Sequence, residues 1–519
     1  MIWILYLIGA FLAIGILKDF FGMVKYFNKY RTQGIGISFT PLIGLVRYFI
    51  TRDKKDGLAG FRSLIKNMKK DEDLVALNDI LGTEPVLFIK SGKLLKELCS
   101  KDNECCEREI PFALPVNLGF MLKTGPEALK LRKIFSKFFV QKHLEKITPM
   151  IEKLVQQKVK LIKKEILKQT GKDSKKFGKV EMQKYWKDLF SELINYIMFG
   201  NEDYPEVKGM TIPRAVEYLI SETTKDVDNH PLNLVFFNIP AKLGILPRCK
   251  ELKQLSKNID KACLDMYKKR TKLSPEQRGS NLIDIMVDHN LNCPEDEVLD
   301  ENMIAGNLFL FQMAGMDTSR QVTLSSLYLL SKRPELASDL HSAVNKYLFN
   351  NGEKKFIGDL DCLDKSTYLN NFLKEALRMF AAVALGFPRV ATKNFKLGKY
   401  KIYKGTGLLM MFSGPQYNSE NFEDPYEFKV DRFADAQKLA KASRNGNYIP
   451  FSSGNRECIG KYLAEIFVKV GLSHFLKEFE VDRVEGFDPK REFEFTYGYK
   501  ECWIKARPRG EVVNGGDSE

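Results

Sequence analysis

The chain has 519 residues, 44% of them apolar, with 37 phenylalanines and no internal repeat, so a sizeable core can be buried. Its formal net charge of +15 is spread along the sequence without a nucleic-acid module. A solvated basic surface, an acidic protein partner or an anionic membrane would account for it. Nine cysteines are scattered without C-x-x-C pairs, and none of the five histidines stands in an i, i+4 pair. A disulfide framework and a zinc site are disfavoured, and a reducing compartment is expected.

In chain order, Met1 to Leu17 carries no charged side chain, Lys18-Asp19 interrupts, and Phe20 to Val24 resumes the apolar run. About 20 apolar residues cross a bilayer as a helix, with ~17 the lower limit. Residues 1–24 are therefore expected to anchor the chain in a membrane. A cleaved signal peptide would want a basic n-region and a small-residue cleavage site. Lys18, Lys25, Lys29 and Arg31 follow the run, on the side that the positive-inside tendency assigns to the cytosol. Residues 25–45 read as a connector, 46–508 as one domain and 509–519 as a disordered tail.

Most of the domain reads helical. Glu84 to Lys90 and Phe395 to Tyr403 alternate like short strands. Leu144 to Lys168 spaces its apolar residues three and four apart, as an exposed amphipathic helix does. Residues 171–179 read as a surface loop. Ser274-Pro275-Glu276-Gln277 offers an N-cap, a proline at the first helical position and a reciprocal glutamine, which predicts a helix start. Met303 to Leu330 is apolar nearly all round, hence a buried helix of roughly 30 residues. Ala314-Gly315-Met316-Asp317-Thr318 interrupts it. A mid-helix glycine costs about 1 kcal/mol against alanine, and a buried Asp and Thr need partners, so the plain reading is a packed helix with a kink.

Glu375 and Arg378 stand three apart on one helical face, where they can pair. Asp424 to Phe433, with Arg432, follows. The most informative stretch is Phe451-Ser-Ser-Gly-Asn-Arg-Glu-Cys458-Ile-Gly460, before a helix-like run from Lys461. Gly454 and Gly460 permit backbone angles or close approaches that a Cβ would block. Turn N–H groups and the following helix N-terminus can stabilise a sulfur anion. Arg456 can fork onto a carboxylate, and Phe451 would keep water off the sulfur. This is what a thiolate ligand to haem iron requires.

The ten residues match Phe-x-x-Gly-x-Arg-x-Cys-x-Gly at every fixed position, and here the sequence resembles the cytochrome P-450 superfamily of haem-thiolate monooxygenases. The likeness covers roughly residues 35–508 and is specific in the second half. It implies a mainly α fold with small β-sheets, a long central helix over the haem and a cysteine-ligand loop beneath it, all within the domain 46–508. It implies haem b ligated by Cys458, with Phe451, Gly454, Arg456 and Gly460 around it and Arg132 and Arg389 facing its propionates. Ala128 stands where a tryptophan is common. Ala314, Gly315, Asp317 and Thr318 would lie over the distal face. Gly315 would leave room for dioxygen where the helix opens, and Asp317 and Thr318 would order water and relay protons. Glu375, Arg378 and Arg432 would form a buried structural network, although Val430-Asp431 replaces the usual Pro-Glu.

The resemblance further implies a microsomal enzyme of the endoplasmic reticulum membrane, its catalytic domain facing the cytosol. Electrons would come from NADPH through a separate flavoprotein reductase, with cytochrome b5 a further candidate donor, since no nucleotide-binding glycine fingerprint exists here. A basic face around Lys461 and Arg444 would dock that partner. Linings expected from residues 111–123, 308–314, 382–387 and 495–497 say only that the substrate is apolar. Three rivals stand: a peroxide isomerase or peroxygenase, whose relatives usually lose the acid–alcohol pair; a non-catalytic haem protein of the same fold; and a membrane-tethered interaction protein without haem.

Overall fold

The computed structural model describes residues 28–510 apart from 39–47, 49–55, 70–71, 79–84, 109–115, 172, 174, 201–204, 230–246, 280, 350–358 and 494–495, with scattered positions between 10 and 24. Most of the anchor expected over residues 1–24, and residues 511–519 of the tail expected over 509–519, lie outside the described residues; Arg509 N donates to Glu478 O at 2.8 Å. Among the described residues no helix is long and apolar enough to cross a membrane.

Six strands form the main sheet: β1 Gly36–Ser38, β2 Leu74–Asn78, β3 Pro85–Ile89, β4 Cys106–Arg108, β5 Arg389–Ala391 and β6 Gly407–Met410. Their order is β1-β2-β3-β6-β5-β4, with β1–β2 and β3–β6 parallel and the other pairs antiparallel. The expected strand over 84–90 is β3. The expected strand over 395–403 is a hairpin, Phe395–Leu397 with Tyr400–Ile402, turned at Gly398 with φ 57°. Within the expected connector, β1 pairs Gly36 with Val75, and Tyr30 is fully buried with its hydroxyl 2.5 Å from Thr406 Oγ1. Packing thus begins near residue 30, earlier than the boundary at 46, because Tyr30 and Ile35 find apolar partners against the sheet.

The helices that build the site are α1 Gly92–Cys105, α2 Gly125–Ser136, α3 Gln141–Gln169, α4 Met182–Phe199, α5 Glu301–Lys332, α6 Thr367–Met379 and α7 Lys461–Glu478. Helix α3 realises the expected amphipathic helix with a buried stripe of Ile147, Ile151, Val155, Ile162 and Ile166. Helix α5 starts at Asp300, whose side chain accepts from Met303 N at 2.6 Å. It is buried along nearly its whole length, as its unbroken apolarity predicts. Around it the largest core gathers Trp186 against Phe475 and Phe190 against Phe467, with ring centroids 6.4 and 5.6 Å apart. Each such ring contributes about 1.5–3 kcal/mol by leaving water.

The helix start expected at Ser274 is a turn instead. Ser274 N does donate to Gln277 Oε1 at 3.0 Å. The chain then bends away because Gly279 N donates to Asp284 Oδ2 at 2.8 Å, and the next helix, Leu282–Asn292, starts from its own cap, Asn281. Asp284 is fully buried against Arg270, and that pair outweighs the local signal.

Candidate active site

Between α5 and the loop Phe451–Gly460 lies a cavity of about 310 Å³. Ala314, Gly315 and Thr318 line it from α5, and Phe451, Arg456, Cys458 and Gly460 from the loop; Arg132 of α2 and Arg389 of β5 reach it from the side. The expected groups from four distant stretches of sequence therefore share one chamber. Gly454 and Asp317 do not line it.

The loop is held by its own backbone. Cys458 N donates to Phe451 O at 2.8 Å and Glu457 N to Gly454 O at 3.1 Å. Gly454 has φ 66°, the left-handed geometry that its lack of a Cβ permits. Ser452, at φ 64°, adopts the same region and sits 3.4 Å from Cys99 Sγ of α1. Gly460 is not left-handed; a Cβ there would only touch Phe139 at 3.6 Å. Cys458 is exposed by area, but that area faces the cavity, since the thiol is enclosed by protein. Burial pushes the Cys458 thiol up, against the lowering influence of Gly460 N–H and Arg132. A thiolate at this position therefore calls for a bound cation.

Four guanidinium groups, Arg108, Arg132, Arg389 and Arg456, line a chamber otherwise walled by Phe120, Leu310, Phe311, Val322 and their neighbours. Each is oriented by a backbone carbonyl: Arg108 Nη1 by Met121 O (3.2 Å), Arg132 Nη1 by Glu457 O (2.6 Å), Arg389 by Phe387 O and Arg456 by Lys123 O. This donor set fits an apolar group with an acidic edge and a metal that accepts sulfur, which is the chemistry of haem. Arg108 was not legible in the sequence: it ends a three-residue strand in a run of charged residues and carries no motif.

On the opposite wall α5 is one continuous helix from Glu301 to Lys332. The space left by Gly315 is directed at α4, where an added Cβ would come within 2.4 Å of Ile194 Cδ1. The glycine lets two helices approach, which offsets its propensity cost. Thr318 Oγ1 donates to Ala314 O at 2.8 Å, the in-helix partner that a half-buried threonine can find. Asp317 faces the other way. It accepts from Arg320 and from the Thr496 hydroxyl, and Arg320 also donates to Glu217 at 2.8 Å. These groups line a second, smaller cavity of about 150 Å³, and Met313 borders both. Asp317 and Thr318 are thus neighbours in sequence on different chambers.

Beneath the loop, Glu375 and Arg378 are both fully buried and pair through two bonds of 2.7 and 2.8 Å. Arg432 Nε donates to the same carboxylate at 3.0 Å, as does Lys429 N at 3.1 Å. The remaining guanidinium nitrogens reach the carbonyls of Gln416, Glu423, Asp424, Pro425 and Glu427. Each charge is paired and each fork is filled, the condition under which buried ions are tolerated. The replacement of the usual Pro-Glu by Val430-Asp431 leaves this geometry intact.

A mainly helical fold with small sheets, a long helix above a chamber and a cysteine loop below it defines a class, and the comparisons agree. The Cytochrome P450 family matches residues 59–501, so the chain belongs to the cytochrome P450 family. It is similar to cytochrome P450 CYP13A5 of Caenorhabditis elegans, 26% identical over 77% of this chain and 79% of that protein. It is similar also to cytochrome P450 6d5 of Drosophila melanogaster, 22% identical over 92% and 94% respectively. The flavonoid 3'-monooxygenase of Petunia hybrida is 26% identical over 58% of this chain and 59% of its own length. The protein is a P450 monooxygenase, a haem-iron enzyme that uses dioxygen, a redox partner and an organic substrate.

Proposed function

We propose that the enzyme holds haem b through Cys458 and hydroxylates or epoxidises an apolar molecule, with electrons from NADPH through a separate flavoprotein reductase. The observation that carries this reading is one cysteine thiol and four arginines on the walls of a single apolar chamber. When bound, thiolate-ligated haem iron supplies the activation and cleavage of dioxygen. Arg108, Arg132, Arg389 and Arg456 would fork onto the propionates. Phe120, Leu310 and Phe311 exclude water and favour an apolar substrate. With its proton given to Ala314 O, the Thr318 hydroxyl would present its oxygen at the cavity wall as an acceptor that orders water, and Asp317 would pass protons along α5 from the second cavity.

Arg444, Lys133 and Lys137 are exposed and Lys461 is part-exposed, and with the net charge of +15 they suit an acidic electron donor, the reductase or cytochrome b5. Ile14, Leu17, Phe20, Phe21 and Val24 are all exposed, which supports an N-terminal anchor in the endoplasmic reticulum membrane with the catalytic domain on the cytosolic side. The deciding measurement is the ferrous–CO absorption spectrum together with NADPH- and reductase-dependent turnover of an apolar substrate panel. The wild type shows the thiolate-type band and NADPH dependence, and Cys458→Ser loses both. Retention of pigment and turnover in Cys458→Ser would end this reading, and reductase-independent turnover of peroxides would favour the isomerase alternative.

A further inference from the structure

Asn307 is a polar residue in the first turns of an apolar helix, with no exposed surface. Both polar atoms of its carboxamide are bonded. Oδ1 accepts from Phe120 N at 3.0 Å, and Nδ2 donates to Met303 O at 2.7 Å. Asn117 completes the lock from the other side. Its Nδ2 donates to Asn302 O at 2.7 Å, and its Oδ1 accepts from Gly119 N at 2.9 Å. Two glycines make the interlock possible. A Cβ on Gly119, which has φ 48°, would meet Asn307 Oδ1 at 2.3 Å, and one on Gly306 would meet Asn117 Cγ at 2.5 Å. Asparagine cradles glycine on both strands of the contact, so the segment 117–120 has one seat on α5.

That seat has chemical consequences further along the segment. Phe120 and Met121 line the chamber, and the Phe120 ring packs on Phe135 and Phe311 with centroids 5.3 and 5.8 Å away. The next carbonyls, Met121 O and Lys123 O, are the acceptors that aim Arg108 and Arg456. The segment 117–123 is therefore a strap between the distal helix and the arginine side of the chamber, and Asn307 is its buckle.

We propose that Asn307 is a positioning residue for substrate selectivity: by holding Phe120 N it fixes the aromatic wall against which a bound molecule packs. This rests on the haem-thiolate reading, and the test separates the two. Imidazole is a compact iron ligand, and 4-phenylimidazole adds a ring that must pack against the chamber wall; both are followed by the absorbance change of the haem. In Asn307→Leu, imidazole affinity stays within about twofold, whereas 4-phenylimidazole weakens about tenfold, the scale of one lost buried hydrogen bond. Amide exchange over residues 117–123 rises in the same variant. In a Phe120→Ala background, Asn307→Leu changes the ratio of the two affinities no further, because the effect travels through that ring. Should Asn307→Leu fail to fold, Gly119→Ala displaces the carboxamide from the opposite side and is expected to shift the ratio likewise. An unchanged ratio in the folded variant, or losses that add in the double variant, would overturn the proposal. Absence of any spectral response to imidazole in the wild type would instead defeat the haem reading on which it rests.

Discussion

The floor and the roof of the chamber are made of different materials. Under the cysteine loop, Glu375, Arg378 and Arg432 are bonded to one another and to five backbone carbonyls, without exposed surface for the first two. Over it, α5 presents a threonine bonded to its own helix, a glycine pressed on Ile194 and an aspartate turned into a second cavity. A floor of paired buried charge has one arrangement and fails as a whole. A roof of apolar packing and amide locks tolerates change and alters what the chamber accepts.

The sharpest way to break that contrast is Glu375→Gln. It leaves Arg378 and Arg432 buried without a counter-ion, and the loss is expected to be about 3–5 kcal/mol. Thermal unfolding and the yield of haem-loaded protein measure it. A variant as stable as the wild type would mean that the floor is not held by charge. On the roof, Asp317→Asn is expected to spare stability and the ferrous–CO band yet slow turnover about 10²-fold, the scale of a lost general acid. If instead the melting temperature falls and the rate holds, Asp317 is only the partner of Arg320. Gly315→Val probes the roof's packing. The added methyls meet Ile194, costing about 1–3 kcal/mol as overpacking does. Ile194→Ala should recover most of that loss in the double variant, and failure to recover would place the clash elsewhere.

The same division decides what the sequence made legible. Floor residues announced themselves because their chemistry demands particular types at close spacing: Cys458 with Arg456, Glu375 with Arg378. Strands over 84–90 and 395–403 and the helix at Leu144 were likewise written in local periodicity. The roof was harder. Gly315 lines the chamber as expected, but its second role was not legible, because a glycine's neighbour across a helix interface is set by tertiary packing, here Ile194, 121 positions earlier in the chain. Asp317 looked like a companion of Thr318, but adjacent residues on a helix point about 100° apart, and Arg320 decided its direction. Asn307 and Arg108 carry no motif because each bonds to a backbone group of the 117–123 segment, Phe120 N and Met121 O, which only the fold brings into place. The false helix start at Ser274 has the same cause, a good local cap overruled by the buried Arg270–Asp284 pair.

The smallest effect lies at the edge of the floor, in the pH response of His143. It sits in the first turn of α3, packed 4.3 Å from the Phe138 ring, and its Nε2 is buried without an acceptor. Burial lowers its pKa, and Lys146 one turn on lowers it further; the positive end of the helix also disfavours a second proton. The unfolded chain takes up that proton near pH 6.5, while the folded chain resists until a lower pH. Between those values the unfolded state binds more protons, so this contribution is complete above about pH 6.5 and is lost as pH falls below it. The melting temperature of the wild type minus that of His143→Gln, measured from pH 8 to 5.5, should therefore decrease as the pH drops, because the variant has no such proton to refuse. Parallel curves would show that the imidazole is as free to ionise in the folded protein as in the open chain.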